Sequence, residues 1–131
     1  VWRVNSMIIS VLDYLEKTVK RYPEKVAFHG MEKAFTFKEL QREAKTIGST
    51  IAEIIPPKQP VLVYMEKSVN NISTILGCIY AGCFYVPIDK DMPAERVRMI
   101  IKLLTPKVMI CDKKTEMSAR ELADDVSVIL Y

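Results

Sequence analysis

Apolar residues recur along this chain in two rhythms. Val11, Leu12, Leu15, Val19 and Tyr22, with Ile8 ahead of them, fall at helical spacing, and Asp13, Glu16, Lys17 and Lys20 fill the opposite face. Tyr22-Pro23 ends that helix, because a residue before proline avoids the α region. Val26 to His29 and Ala34 to Thr36 are short apolar runs around a Gly30–Lys33 turn, which predicts a small antiparallel hairpin. Thr36-Phe37-Lys38-Glu39 has the form of a capping box. Leu40, Ala44, Ile47, Ile51 and Ile54 then continue a helical stripe as far as Pro56-Pro57.

Beyond this point the rhythm changes. Val61 to Met65 is a continuous apolar run, as a strand covered on both faces requires. Val69, Ile72, Leu76, Ile79 and Cys83 mark a helical face, with Gly82 supplying the backbone freedom for its end. Phe84 to Ile88 reads as a buried strand that Pro87 brings to its end, since proline cannot donate to a ladder. Pro93 suits the first turn of a helix carrying Val97, Ile100, Ile101 and Leu104, stopped by Thr105-Pro106. Val108 to Cys111 is the next strand, Ser118-Ala119-Arg120-Glu121 has the form of a second capping box on a short helix, and Val126 to Leu130 is a last strand.

The order from Val61 onward is thus strand, helix, strand, helix, strand, short helix, strand. Short connections and continuous apolar strands predict an α/β fold: a mostly parallel sheet with flanking helices, plus the small N-terminal hairpin. Its crossovers should be right-handed. The last strand runs into Tyr131 without a closing loop, the pattern expected of a cut domain. Val1 to Ser6 do not fit the pattern that follows, and Met7 would make a natural start. Residues 1–6 are therefore expected to be upstream or vector-derived, and 7–131 to form the subdomain.

Composition narrows the function only a little. Half of the 131 residues are hydrophobic, 27% are charged and the net charge is +3, ordinary values for a soluble domain. The charges are dispersed, which argues against nucleic acid as a partner. No apolar run approaches the roughly 18 residues of a membrane span, and the start lacks the pattern of a signal peptide. A cytoplasmic protein is expected. Cys78, Cys83 and Cys111 sit in apolar segments without zinc spacing, as small buried hydrophobes do.

The chemistry-bearing residues do not assemble into a site. His29 is the one histidine, so no Ser-His-carboxylate set can be drawn and no second imidazole shares a metal. Asp89, Asp91 and Glu95 cluster around a helix start, where orphan N–H groups and the helix dipole account for carboxylates. Arg96 and Arg98 flank Val97 on the exposed side of the helix, where a surface or ion-pair role is expected. Asp124-Asp125 reads as a loop before the last strand. No Walker loop is present, and Gly77 and Gly82 precede a strand where a dinucleotide fingerprint follows one. No catalytic, cofactor-binding or metal-binding residue is assigned from the residues alone.

Three segments carry a family likeness. Tyr22-Pro23-Glu24-Lys25-Val26-Ala27, Phe35-Thr36-Phe37-Lys38-Glu39-Leu40 and the stretch from Tyr80 to Arg96, which contains Ala81-Gly82-Cys83-Phe84-Tyr85-Val86-Pro87-Ile88-Asp89 and Pro93-Ala94-Glu95-Arg96, occur in that order. They resemble the early core motifs of adenylate-forming (AMP-binding) enzymes, in the amino-acid-activating branch of peptide-synthetase adenylation domains and D-alanine:carrier-protein ligases. Tyr80 stands where the family usually has lysine, Cys83 where it often has glycine, and Lys90 where peptide synthetases often have proline, the last departure leaning toward the D-alanine ligases.

The resemblance implies the N-terminal part of an ATP-dependent ligase. With ATP and Mg²⁺ as cofactors, such an enzyme makes an aminoacyl-adenylate from an amino acid and passes the acyl group to the phosphopantetheine thiol of a carrier protein. The family's catalytic parts fall later than these motifs, so the resemblance places none on this chain. It implies that this portion is inactive alone and binds no cofactor. An acyl-CoA or aryl-acid ligase, or a non-catalytic α/β interaction module, are the alternatives. Open apolar strands at the sheet edges imply self-association of the isolated piece.

Overall fold

The computed structural model describes residues 10–131. Residues 1–6, Met7 and Ile8, on which a boundary and the first apolar position were predicted, lie outside the described residues. The first helix, α1 (Val11–Arg21), starts at a capping box that the hydrophobic pattern did not reveal. The Ser10 hydroxyl accepts from the N–H of Leu12 at 3.2 Å, and the Ser10 N–H donates to Asp13 Oδ2 at 3.1 Å. The hairpin is present as β1 (Val26–His29) and β2 (Ala34–Thr36), paired antiparallel with an irregularity between Val26 and Phe28. The predicted capping box at Thr36 opens α2 (Phe37–Ile54): Glu39 N–H reaches the threonine hydroxyl at 3.2 Å and Glu39 Oε2 takes the Thr36 N–H at 2.9 Å.

The main sheet contains β3 (Pro60–Tyr64), β4 (Phe84–Ile88), β5 (Val108–Cys111) and β6 (Ser127–Leu130) in the order β4-β3-β5-β6, all parallel. Between them run α3 (Val69–Tyr80), α4 (Ala94–Leu104) and α5 (Glu116–Leu122). Alternation along the strands divides the core. Val61, Val63, Val108 and Ile110 face Ile47, Ile51 and Ile55 of the α2 segment and Cys78 of α3. Leu62, Tyr64, Met109 and Cys111 face Val97 of α4 and Ala119 and Leu122 of α5. The chain moves one way from β3 to β4 over the α3 face, and the other way from β4 to β6 over the α4–α5 face. A single crossover hand requires that exchange of faces.

Four sequence expectations need correction. The Phe84–Ile88 strand is not buried: it is the sheet edge, and Phe84 and Tyr85 are exposed. Pro87 does not end it, because an edge strand tolerates a residue with no donor, and Pro87 stays in register with Val63. Cys83 is not on the α3 face. The helix stops at Tyr80 and Gly82 takes φ +71°. Cys83 N–H then reaches back to Cys78 O at 3.0 Å and Gly82 N–H to Ile79 O at 2.9 Å, the paired bonds of a Schellman cap. Finally, Ser118 does not cap α5. The helix begins at Glu116, because Thr115 is anchored elsewhere, as described below.

A very close approach of two helices lies between α2 and α3. A Cβ on Gly77 would stand 2.6 Å from Ile47 Cγ2 and 3.0 Å from Ala44 O, and one on Gly48 would stand 2.9 Å from Gly77 O. Beside this crossing a third cluster, Leu15, Phe35, Leu40 and Val69, fastens α1 and the hairpin to the same two helices. Tyr80 OH donates to Glu16 Oε1 at 2.5 Å across that junction. Gly77→Ala should therefore lower the unfolding free energy by about 1–3 kcal/mol, the usual cost of forcing an extra methyl into a packed contact. Urea unfolding followed by circular dichroism measures it, with an unchanged midpoint counting against backbone contact at the crossing.

Candidate functional site

Doubly wound sheets bind ligands beyond the carboxyl ends of their strands, where successive connections depart in opposite directions. Here the connections diverge between β3 and β5. Polar residues follow at or near the ends of the apolar strands, Glu66 after β3, Asp89 and Lys90 after β4, and Asp112 to Thr115 after β5. These residues lock together. Lys90 Nζ lies 3.0 Å from Glu66 Oε1 and Lys114 Nζ lies 2.7 Å from Glu66 Oε2. The Glu66 N–H donates to Asp112 Oδ2 at 2.8 Å. Asp112 Oδ1 takes the N–H groups of Lys114 at 2.9 Å and Thr115 at 3.0 Å.

Thr115 is buried and its hydroxyl donates to Tyr64 O at 2.6 Å. That bond, with the Asp112 turn, fixes the start of α5. The latch thus joins the exits of three neighbouring strands through one carboxylate and two ammonium groups. Hydrogen bonds from Lys114 and then Lys90 hold the Glu66 carboxyl below the ordinary carboxylate range. Its carboxylate in turn raises both lysines.

Beside the latch lies an open cleft of about 630 Å³, between the ends of β3 and β4 and the first turn of α3. Met65, Ile88 and Met92 give it an apolar wall, and Glu66, Lys67, Asn71, Asp89, Lys90 and Asp91 give it polar groups. A smaller hollow of about 320 Å³ on the other side of Lys67 and Asn71 holds Phe28 and His29.

The residues singled out from the sequence are scattered with respect to this region. Asp89 and Asp91 line the cleft, but Asp89 Oδ1 is engaged by the Asp91 N–H at 2.9 Å as a local turn. Glu95 is on the first turn of α4, and Arg96 and Arg98 are exposed on either side of buried Val97, as predicted. Asp124 and Asp125 stand in the loop before β6. All three cysteines are buried, and burial followed by the nearby Cys83 pushes the Cys78 thiol up to about 12. The latch residues Glu66, Asp112, Lys114 and Thr115 were not anticipated. Their signal was positional: each is among the first polar residues after an apolar parallel strand.

The described residues form neither a glycine cradle for phosphate nor a cluster of metal ligands. Among them no three His, Cys, Asp or Glu side chains are grouped to hold a cation. Gly48, Gly77 and Gly82 are committed to helix packing and a helix cap, and Gly30 to the hairpin turn.

Comparison with known proteins gives this arrangement a family. The profile described as AMP-binding enzyme matches residues 15–131. The chain belongs to the AMP-binding enzyme family. A relative named D-alanine--D-alanyl carrier protein ligase, from Staphylococcus epidermidis, is 32% identical over 99 residues, covering 76% of this chain and 20% of its own length. A mycosubtilin synthase polypeptide from Bacillus subtilis is 35% identical over 96 residues, covering 72% of this chain and 4% of that protein.

Among solved structures, the nonribosomal peptide synthetase FmoA3 superposes with a TM-score of 0.82 at 26% identity, over 88% of this chain and 12% of that one. The anthranilate CoA ligase AuaEII, in complex with anthranoyl-AMP, superposes with a TM-score of 0.83 at 17% identity, over 92% of this chain and 24% of that one. The second likeness speaks for the fold alone. Within the AMP-binding family this chain thus spans about a fifth of the length of the carrier-protein ligase it matches.

Two outcomes are expected at the latch. Thr115→Val removes the donor to the buried Tyr64 carbonyl and should cost about 1–3 kcal/mol in chemical denaturation; an unchanged midpoint would deny Thr115 its anchoring role. The second concerns pH. Because folding lowers the Glu66 pKa, its contribution is present above the unfolded value and is lost as pH falls through the folded one. The raised lysines lose theirs only as pH rises through their folded values. A carboxyl NMR titration should therefore place Glu66 below free glutamate, and Lys114→Met should move it back up.

Proposed function

We propose that this chain is the N-terminal α/β portion, residues 7–131, of an ATP-dependent, AMP-forming ligase that activates an amino acid and transfers it to a carrier protein. The observation that carries the reading is the 32% identity to the staphylococcal D-alanine--D-alanyl carrier protein ligase over three quarters of the chain. The mycosubtilin synthase polypeptide, which matches at 35%, supports amino-acid activation as the class. Lys90, at the position that leaned toward the D-alanine branch, belongs to the latch.

In this reading the whole enzyme uses ATP with Mg²⁺, and the residues that hold them lie outside this chain. The part played by these residues is structural. The latch fixes three strand exits, and the cleft beside it presents a preformed rim to the remainder of the protein. Positioning of that kind underlies catalysis of adenylate formation, where charge neutralisation and geometry carry most of the barrier reduction.

The test is pyrophosphate exchange on the full-length protein with a panel of carboxylic acids. Exchange stimulated by D-alanine or another amino acid is the expected result. Stimulation by aryl or fatty acids alone, with CoA as acceptor, would overturn the amino-acid assignment and leave the family membership standing.

A further inference from the structure

The outer face of α4 holds two large apolar side chains in water. Met99 is 71% exposed and Leu103 is 82% exposed, and four residues apart they stand one above the other on the solvent side. Among the described residues they take no part in the core, since α4 seats Val97, Ile100, Ile101 and Leu104 against the sheet instead. Phe84, 48% exposed, lies on the same sheet face as α4 by its alternation with Val86 and Ile88, on β4, which among the described residues pairs with β3 alone.

Cations border this apolar strip. Arg96 comes one turn before Met99 on one flank, and Arg98 and Lys102 run parallel to the strip on the other. Among the described residues none of the three takes part in an ion pair, although lysines and arginines elsewhere are paired with Glu16, Glu24, Glu43, Glu66 and Glu116. Glu95 is the one acidic residue on the helix. Asp124 and Asp125 share with Arg98 and Lys102 the walls of a hollow of about 490 Å³ between α4 and the end of α5, and do not pair with them.

We infer that the Met99–Leu103 face of α4 is a docking surface for an acidic amphipathic helix of a partner protein. Apolar residues of such a helix, at spacings of three and four, would cover Met99 and Leu103, and carboxylates on its flanks would meet Arg96, Arg98 and Lys102. Charge complementarity of this kind sets partner choice and association rate more than affinity, and helix-on-helix contact with flanking charges is the arrangement that coiled coils use for pairing. The surface is independent of the ligase reading, because no residue in it belongs to the carboxyl-end cleft.

The test uses the full-length protein and a fluorescent amphipathic peptide of about 20 residues, with leucines at helical spacing and glutamates on their flanks. Its counterpart has lysines in place of the glutamates. The acidic peptide should bind, weaken with added salt, and lose roughly tenfold or more in affinity with Leu103→Ser and with the pair Arg98→Glu, Lys102→Glu. That charge-reversed pair should instead capture the lysine peptide, a gain that misfolding cannot produce. These positions are exposed among the described residues, so melting temperatures of the full-length protein should stay unchanged; a clear fall with Leu103→Ser would mean that the rest of the protein covers the strip and would overturn the proposal. Equal binding of both peptides, or indifference to the charge reversal, would overturn the proposal. So would a strip occupied by something else: phosphatidylserine vesicles retaining the protein through the same cations, or a dimer in sizing with light scattering that Leu103→Ser dissolves.

Discussion

The close crossing of α2 and α3 is the constraint on which the rest of the structure depends. Both helices do two jobs. One flank of each covers the sheet through Ile47, Ile51 and Cys78, and another holds α1 and the hairpin through Leu40 and Val69. Two elements can share two cores only if their axes come close, and Gly48 and Gly77 provide the space by having no side chains there. Glycine inside a helix costs roughly 1 kcal/mol relative to alanine. In this protein the cost is offset by apolar contact along both helices. The Schellman cap at Gly82 then turns the chain directly from α3 into β4.

With the helices fixed, the carboxyl end of the sheet becomes the polar end of an otherwise apolar layer. The four strands contribute almost no hydrophilic side chain until they exit. What emerges is a compact set of opposite charges with Glu66 at its centre and Thr115 tied to the β3 backbone beneath it. Exposed ion pairs contribute little stability one at a time. Their value here is geometric, because one carboxylate holds the loops after β4 and β5 in place at once and so shapes the rim of the adjoining cleft.

That division of labour suits the place of the chain in the AMP-binding enzyme family. The motifs by which its sequence resembles the family include strand, turn and helix-start residues, such as Thr36, Gly82, Pro87 and Pro93. The structure gives each of them a conformational role: a cap, a left-handed turn, an edge position, a helix start. Motifs of this type identify a family because its scaffold needs them, so they say little beyond the family itself. The exposed chemistry of α4 is a separate matter, since no packing requirement places Met99 and Leu103 in water.

The hydrophobic pattern determined the elements, because a strand of period two and a helix of period 3.6 announce themselves locally. Thr36 with Glu39 and Gly82 with its cap were legible for the same reason: each motif closes within six residues. The sequence also carried the family, through short motifs in order, and it determined that the cysteines would behave as hydrophobes. Strand order is decided by contacts distant in sequence, and only the folded structure shows that Phe84–Ile88 is an edge and that Pro87 is therefore harmless within it. The start of α5 was misplaced at Ser118 because Thr115 spends its hydroxyl on Tyr64, 51 residues away. The latch was invisible for the same reason: Glu66, Lys90 and Lys114 are ordinary charges in sequence, and they meet only because three parallel strands end side by side.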